Sequence, residues 1–215
     1  MTDLGHLIAV AGAWLAYGAV HSWLASQAVK AAVARRRPDW AAAYRLAFNG
    51  FAVLTLLPPL WLTWRFDGAA LWHWPWWIAW PALAITVAGY LWSLSWYDGM
   101  DFVGWRQWRD RAAPVPWRDR LVLSPLHRHV RHPWYSLGLL YLWTRDLNAA
   151  WLVAVIIVSV YLWLGSRLEE RKLIAAFGAS YLRYRARVPG LIPLPWRRID
   201  RAEAAELLTL SATDQ

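Results

Sequence analysis

Residues 149–165 read AAWLVAVIIVSVYLWLG, and SRLEERK follows at once at 166–172. An uncharged run of this length reaches the lower end of what crosses a bilayer, about 17–25 residues. The abrupt return of charge marks where such a helix leaves lipid, because ionisable groups are costly inside it. Working outward, four more apolar stretches appear: Leu4–Leu24, Tyr44–Trp64, Trp72–Trp96 and Trp134–Trp143. The first three are long enough to span. Trp134–Trp143 is short, is followed by Arg145 and Asp146, and reads as one arm of a shallow hairpin. The expected fold is all-α: a polytopic membrane helix bundle of about five transmembrane helices plus a cytoplasmic C-terminal amphipathic helix. The organisation expected is one membrane domain over 1–215. Its parts are three spans (1–97), a cytoplasmic loop (98–133), a helical hairpin (134–166), a cytoplasmic helix (167–193) and a tail (194–215).

Composition agrees. The chain is 59% hydrophobic and only 17% charged, with 20 Trp and no Cys in 215 residues. So much apolar surface excludes disorder. The missing Cys excludes a disulfide framework and Cys-ligated zinc or iron–sulfur sites. The net charge of +9 could serve nucleic acid, anionic lipid or cytoplasmic loops, and location decides. Basic residues cluster between apolar runs: Lys30 to Arg37, Arg106 to Arg131, and from Arg167 on. The opposite connections hold only Asp3, Arg65 with Asp67, and Arg145 with Asp146. The positive-inside rule therefore puts the N-terminus outside an inner (cell) membrane and the C-terminus in the cytoplasm. A four-span arrangement without the hairpin keeps the same segments inside. The first stretch lacks a basic leader and reads as a retained span. Tryptophans such as Trp72, Trp74 and Trp76 suit an aromatic belt at the headgroups.

Beyond the spans, Leu173, Phe177, Tyr181, Tyr184 and Val188 recur at helical spacing, which predicts an amphipathic helix ended by Pro189 and Gly190. The tail from Arg201 reads as a short loose helix. The densest polar cluster is His127, Arg128, His129, Arg131, His132, Pro133 and Tyr135, within SPLHRHVRHPWY. Pro133 suits a first helical turn, where free N–H groups and the helix dipole favour anions. Such a site takes a carboxylate or phosphate, or else is a basic helix start lying on anionic headgroups. The second cluster is Arg167, Glu169 and Glu170, either a functional group or the solvated start of the amphipathic helix. Together the two suit a zwitterionic ligand. His21 within the first span, with Asn49 and Asp98, are candidate acceptor-site residues. No metal is expected, since the histidines lack an i, i+4 pair and stand among arginines. A transporter is disfavoured because these residues lie at one membrane face.

HRHVRHPWY at 127–135 followed by RLEERKLIAAFGASYLRYRARVPGLIP at 167–193 resembles the isoprenylcysteine carboxyl methyltransferase superfamily of integral membrane enzymes. The match covers about Arg120–Pro193. HSWLAS (21–26), YRLAFN (44–49) and YDGMDFVGWRQ (97–107) look like the bacterial branch holding methanethiol S-methyltransferases and NnrU-like proteins. The resemblance implies S-adenosylmethionine as cofactor and residues 167–193 as its pocket helix. His132, Pro133, Trp134 and Tyr135 would line the pocket, Leu121 and Val122 would close over it, and Arg131 and Glu169 would hold the methionine end. His127 stands where the family often has Tyr. Arg167 would lie near the acceptor, although the prenylcysteine enzymes carry their Arg slightly earlier, where this chain has Gly165. His132, Glu170 or a water could take a thiol proton. The expected activity is methyl transfer to a small thiol, methanethiol-like, or another hydrophobic acceptor. The alternative is an NnrU-like non-catalytic protein that binds the cofactor as a sensor or assembly element. The partners expected are the lipid bilayer and that acceptor, with no nucleic acid.

Overall fold

The computed structural model describes residues 3–96, 98–111, 121 and 123–213. Four helices are long and apolar enough to cross a membrane: α1 (Asp3–Ala25), α4 (Tyr44–Trp64), α5 (Trp76–Leu94) and α9 (Ala149–Arg187). Short helices join them: α2 (Gln27–Arg36), α3 (Pro38–Ala41), α6 (Gly99–Val103), α7 (Trp105–Arg109) and α8 (Pro133–Trp143). A 3-10 turn covers Pro125–Arg128, and α10 (Arg201–Thr213) closes the chain. The fold is an all-α polytopic membrane bundle. Its long helices expose Leu15, Leu54, Trp61, Ile85 and Val160 on their outer faces. Water would penalise that surface by about 25 cal/mol per Å², and lipid removes the penalty.

The chain divides into two compact units. The first holds Met1–Trp74, Tyr97–Val115 and Asp146–Val158. Its core joins Val10 and Trp14 of α1 to Ala150 and Ala154 of α9, with Leu56 and Leu60 packed alongside. The buried Trp14 indole donates to the Thr63 hydroxyl at 2.9 Å, which donates on to the Pro59 carbonyl. The only strands among the described residues, β1 (Ala70–Trp72) and β2 (Leu147–Asn148), pair antiparallel in the connections before α5 and before α9. Asp146 fastens them by accepting from His73 Nδ1 at 2.8 Å and from the Trp74 backbone.

α8 has 11 residues and is about 16 Å long, half of a hydrocarbon layer of about 30 Å, so the expected fourth span is not a full helical crossing. Thr144, at φ −105° and ψ 16°, ends it, and the strand that follows is only Leu147–Asn148. Asn148 adds two more bonds, from its amide to the Phe66 carbonyl and from the Trp151 N–H to its side chain.

The second unit holds Pro75–Trp96, Pro116–Arg145 and Ser159–Gln215. In it α8 lies along α5: the Tyr90 hydroxyl donates to the Trp134 carbonyl, and the Trp134 indole donates to Ser93. The apolar part of α9 up to Gly165 is the spanning segment, and from Arg167 the helix is polar. Gly178 adopts φ 49°, ψ −127° and breaks the run, a conformation a Cβ resists. The expected amphipathic face is buried: Phe177, Tyr181, Tyr184 and Val188 pack with Leu121 and Ile199. The tail is not loose, because α10 sets Ala204 and Leu207 into this same core.

Candidate active site

Two strings well apart in sequence, RHPWY at 131–135 and RLEER at 167–171, meet in the second unit. Arg131 and His132 lead into α8, and their N–H groups donate to the carbonyls of Pro189 and Gly190. Pro133 opens α8 at its first position, where its missing N–H costs nothing. This crossing holds Arg131 against the start of the polar part of α9. Its Nε and Nη2 donate to Glu170 Oε1 at 2.9 and 2.6 Å. Its Nη1 donates to the carbonyls of Arg185, at 3.0 Å, and Val188. The two side chains are only 9% and 4% exposed. A buried pair of this kind survives because its donors and acceptors are nearly all matched.

His132 sits between the carboxylates. Its Nε2 lies 3.3 Å from Glu170 Oε1 and its Nδ1 3.5 Å from Glu169 Oε2. Its ring stacks on Tyr135, with centroids 5.4 Å apart and planes 8° apart. Burial alone would push the imidazole down, but hydrogen bonds and charge from Glu169 and Glu170 outweigh it and hold the pKa above its ordinary value. Burial likewise opposes ionisation of Glu170, yet His132 and Arg131 bring it down to about 2. Arg185 Nε, 3.2 Å from Glu170 Oε2, supports the second oxygen. Glu169 is the more open carboxylate, 29% exposed.

His127 is fixed differently. Its Nδ1 accepts from the Ser124 N–H at 3.2 Å and lies 2.7 Å from the Ser124 hydroxyl. Two donors on Nδ1 put the ring proton on Nε2 and keep the ring neutral. Burial, then the nearby His132 charge, lowers its pKa to about 4, against a smaller opposing pull from Glu169. Tyr184 anchors the turn by donating to the His127 carbonyl.

The structure thus brings together Arg131, His132, Tyr135, Glu169 and Glu170, with His127 within electrostatic reach. Trp134 turns to α5, ring edge to face with Tyr90. Leu121 is buried in the core beneath, and Val122 lies outside the described residues. Arg167 is exposed with its guanidinium over the Trp163 ring. His21, Asn49 and Asp98 belong to the first unit. His21 packs between the Tyr17 and Phe48 rings. Asp98 caps the start of α6 by accepting from Met100 and Asp101, while Asn49 donates to the Val103 carbonyl at its end. Sequence reasoning missed Arg185 and the carbonyls of Val188 to Gly190 that hold the site from behind. It also passed over Ser124, although Ser followed by Pro is a helix-start signal.

The carboxylates, the stacked ring pair and a neutral imidazole donor thus stand together on one site, a set with the chemistry to pair with an ammonium group beside an aromatic face. The chain is 33% identical over 137 residues to methanethiol S-methyltransferase 2 of Bradyrhizobium diazoefficiens, covering 60% of this chain and 49% of that protein. It is 30% identical over 119 residues to the methanethiol S-methyltransferase of Pseudomonas deceptionensis (54% and 43%). Methanethiol S-methyltransferase 1 of B. diazoefficiens is 39% identical over 74 residues (34% and 25%). The chain thus spans half or less of the length of these curated relatives. No family model and no solved structure matches it. Over the shared part, this membrane protein is similar to proteins named as methyltransferases.

Proposed function

We propose that the chain is a membrane methyltransferase of the methanethiol S-methyltransferase kind, using S-adenosylmethionine and a small thiol acceptor. The observation that carries the reading is the union of RHPWY and RLEER in one buried ion cluster. Partial similarity to methanethiol S-methyltransferases supports it. The residues fit the cofactor's chemistry: Glu169 is a half-buried carboxylate with room for an ammonium group, and Tyr135 offers a ring face that attracts a sulfonium. When bound, S-adenosylmethionine supplies an electrophilic methyl group. The chain's task is then alignment, exclusion of water and removal of the thiol proton.

Glu170 is a poor base, with a pKa of about 2, its Oε1 hydrogen-bonded by Arg131 and its Oε2 3.2 Å from the Arg185 guanidinium. His132 is the better match to a thiol of pKa about 8.5. Glu169, once paired with an ammonium group, would hold the His132 proton less tightly, and the His132 ring would then accept the thiol's proton. Arg131 and Glu170 keep the ring in place. The same reading puts the site at the cytoplasmic face of the inner membrane, with the N-terminus outside. The test is incubation of the detergent-purified chain with methyl-labelled S-adenosylmethionine and methanethiol. Labelled dimethyl sulfide is expected, reduced at least tenfold in Glu169→Ala and with kcat/KM rising with pH through the His132 pKa. A folded protein that neither binds the cofactor nor labels methanethiol or sulfide overturns it.

A further inference from the structure

Behind the ion cluster, a polar cleft of about 400 Å³ opens between the 3-10 turn, the end of α9 and the start of α10. It is lined by Arg128, His129, Arg187, Arg198, Asp200 and Glu203. Both carboxylates are already committed. Asp200 accepts from the Glu203 N–H at 2.8 Å and caps α10, and Glu203 lies 3.5 Å from Arg187 Nη2. That leaves Arg128 and Arg198, whose guanidiniums make no hydrogen bond or ion pair among the described residues. Arg128 Nε is buried without a partner, a donor removed from water with nothing returned. His129 reports the local field: burial first, then the charges of Arg128 and Arg198, lower its pKa. The cleft holds three guanidiniums against two carboxylates, a surplus of positive charge that an anion would balance.

Guanidinium forks match phosphate oxygens in two-point contacts. The surroundings indicate the source of the phosphate. Two residues before Arg198, Trp196 is 78% exposed, and Ile192 is 73% exposed. An exposed indole beside arginines is the pattern of the headgroup layer, where the ring meets lipid and the cations meet phosphate. The ordinary role of this segment is to hold the end of α9, and Arg197 does that by donating to the Ala186 carbonyl. Arg198 and Trp196 are left over from that task.

We propose that the Arg128–Arg198 cleft binds the phosphate group of an anionic phospholipid, seated with its acyl chains along Trp196 and Ile192. The test is native mass spectrometry of the detergent-purified full chain titrated with dioleoylphosphatidylglycerol, with inorganic phosphate as competitor. One saturable lipid adduct is expected, weakened about tenfold or more in R128Q/R198Q, the scale of lost charge-assisted hydrogen bonds. Inorganic phosphate should not displace it at matched concentration. An unchanged adduct in the double variant overturns the proposal, and so does displacement by inorganic phosphate, which would make the site one for free phosphate. If the double variant does not fold, R198Q decides, since Arg198 is exposed and unpartnered. Several-fold weaker retention supports the site and parent-like retention overturns it. The readout is lipid retention, so it stands or falls apart from methyl transfer.

Discussion

Glu170→Gln should destabilise the chain far more than its single-atom change suggests. Glu170 receives two bonds from Arg131, lies 3.3 Å from His132 and is paired with Arg185. An amide keeps one acceptor and loses the charge, so the guanidinium of Arg131, 9% exposed, stays buried without its counter-ion. Removing one partner of a buried pair costs about 3–5 kcal/mol. A second route gives a similar size. The carboxyl falls from 4.5 to about 2 on folding. At about 1.4 kcal/mol per unit, that is on the order of 3 kcal/mol of stability tied to its ionised form. For a chain of this length, about 3 kcal/mol corresponds to a fall in Tm of roughly 6–12 °C. The assay is thermal unfolding of the purified chain in detergent, with Glu169→Gln as the control. Glu169 is the more open carboxylate, and its neutral variant should stay within a few degrees of the parent. The reasoning is refuted if Glu170→Gln melts with the parent, or if Glu169→Gln is the more damaging of the two.

The same groups set a pH dependence of stability. Glu170 has a depressed folded pKa, so its contribution is full above about 4.5 and is lost as pH falls toward about 2. His132 has a raised folded pKa, so its contribution is full below 6.5 and is lost as pH rises through the folded value. Melting curves from about pH 3 to about pH 9 should therefore fall at both ends, and His132→Gln should remove the alkaline fall. Gly104→Ala should cost more than about 1 kcal/mol in a chemical unfolding series, because Gly104 has φ 89° and a Cβ there would lie 2.8 Å from the Leu46 nitrogen. Thr63→Val should cost about 1–3 kcal/mol by stranding the Trp14 indole, and Trp14→Phe in the same background should recover part of it. Additivity of those two substitutions would refute the bond.

The long helices were legible because lipid asks little of a span except length and apolar composition. α8 was harder, since an apolar run of its length reads equally as a short helix or as part of a span, and the pairing of Leu147–Asn148 with β1 lies some 75 residues away in sequence. The amphipathic face of α9 was legible from spacing alone, since Phe177, Tyr181, Tyr184 and Val188 are nearly fully buried. The break at Gly178 was not, because a glycine in a helical pattern does not announce its φ. In the site, each string advertised its charges, but nothing local says that Arg131 pairs with Glu170 rather than Glu169. The crossing of Arg131–His132 over Pro189–Gly190 decides that. Asn49 and Asp98 stood out as polar groups beside spans. Their work at the two ends of α6 was hidden because a five-residue helix leaves no periodicity to read.

The charge balance of the cluster bears on the proposed chemistry more than any one residue. Methyl transfer from a sulfonium discharges a cation, so a net anionic site would bind the ground state more tightly than the transition state and slow the step. Here Glu170 is spent on Arg131 and Arg185, both fixed cations, and Glu169 faces a His132 biased toward its protonated form. Glu170 is neutralised before any ligand arrives, and under the proposed function Glu169 takes the ammonium group. What is left to face a sulfonium is the ring of Tyr135, held in register by its stack on His132. A π face attracts the cation with less force than a bare carboxylate, and so forfeits less when the charge disappears. On the proposed chemistry, the arginines would then do more than hold the fold together: by consuming Glu170 they would keep the site from holding its reactant too well.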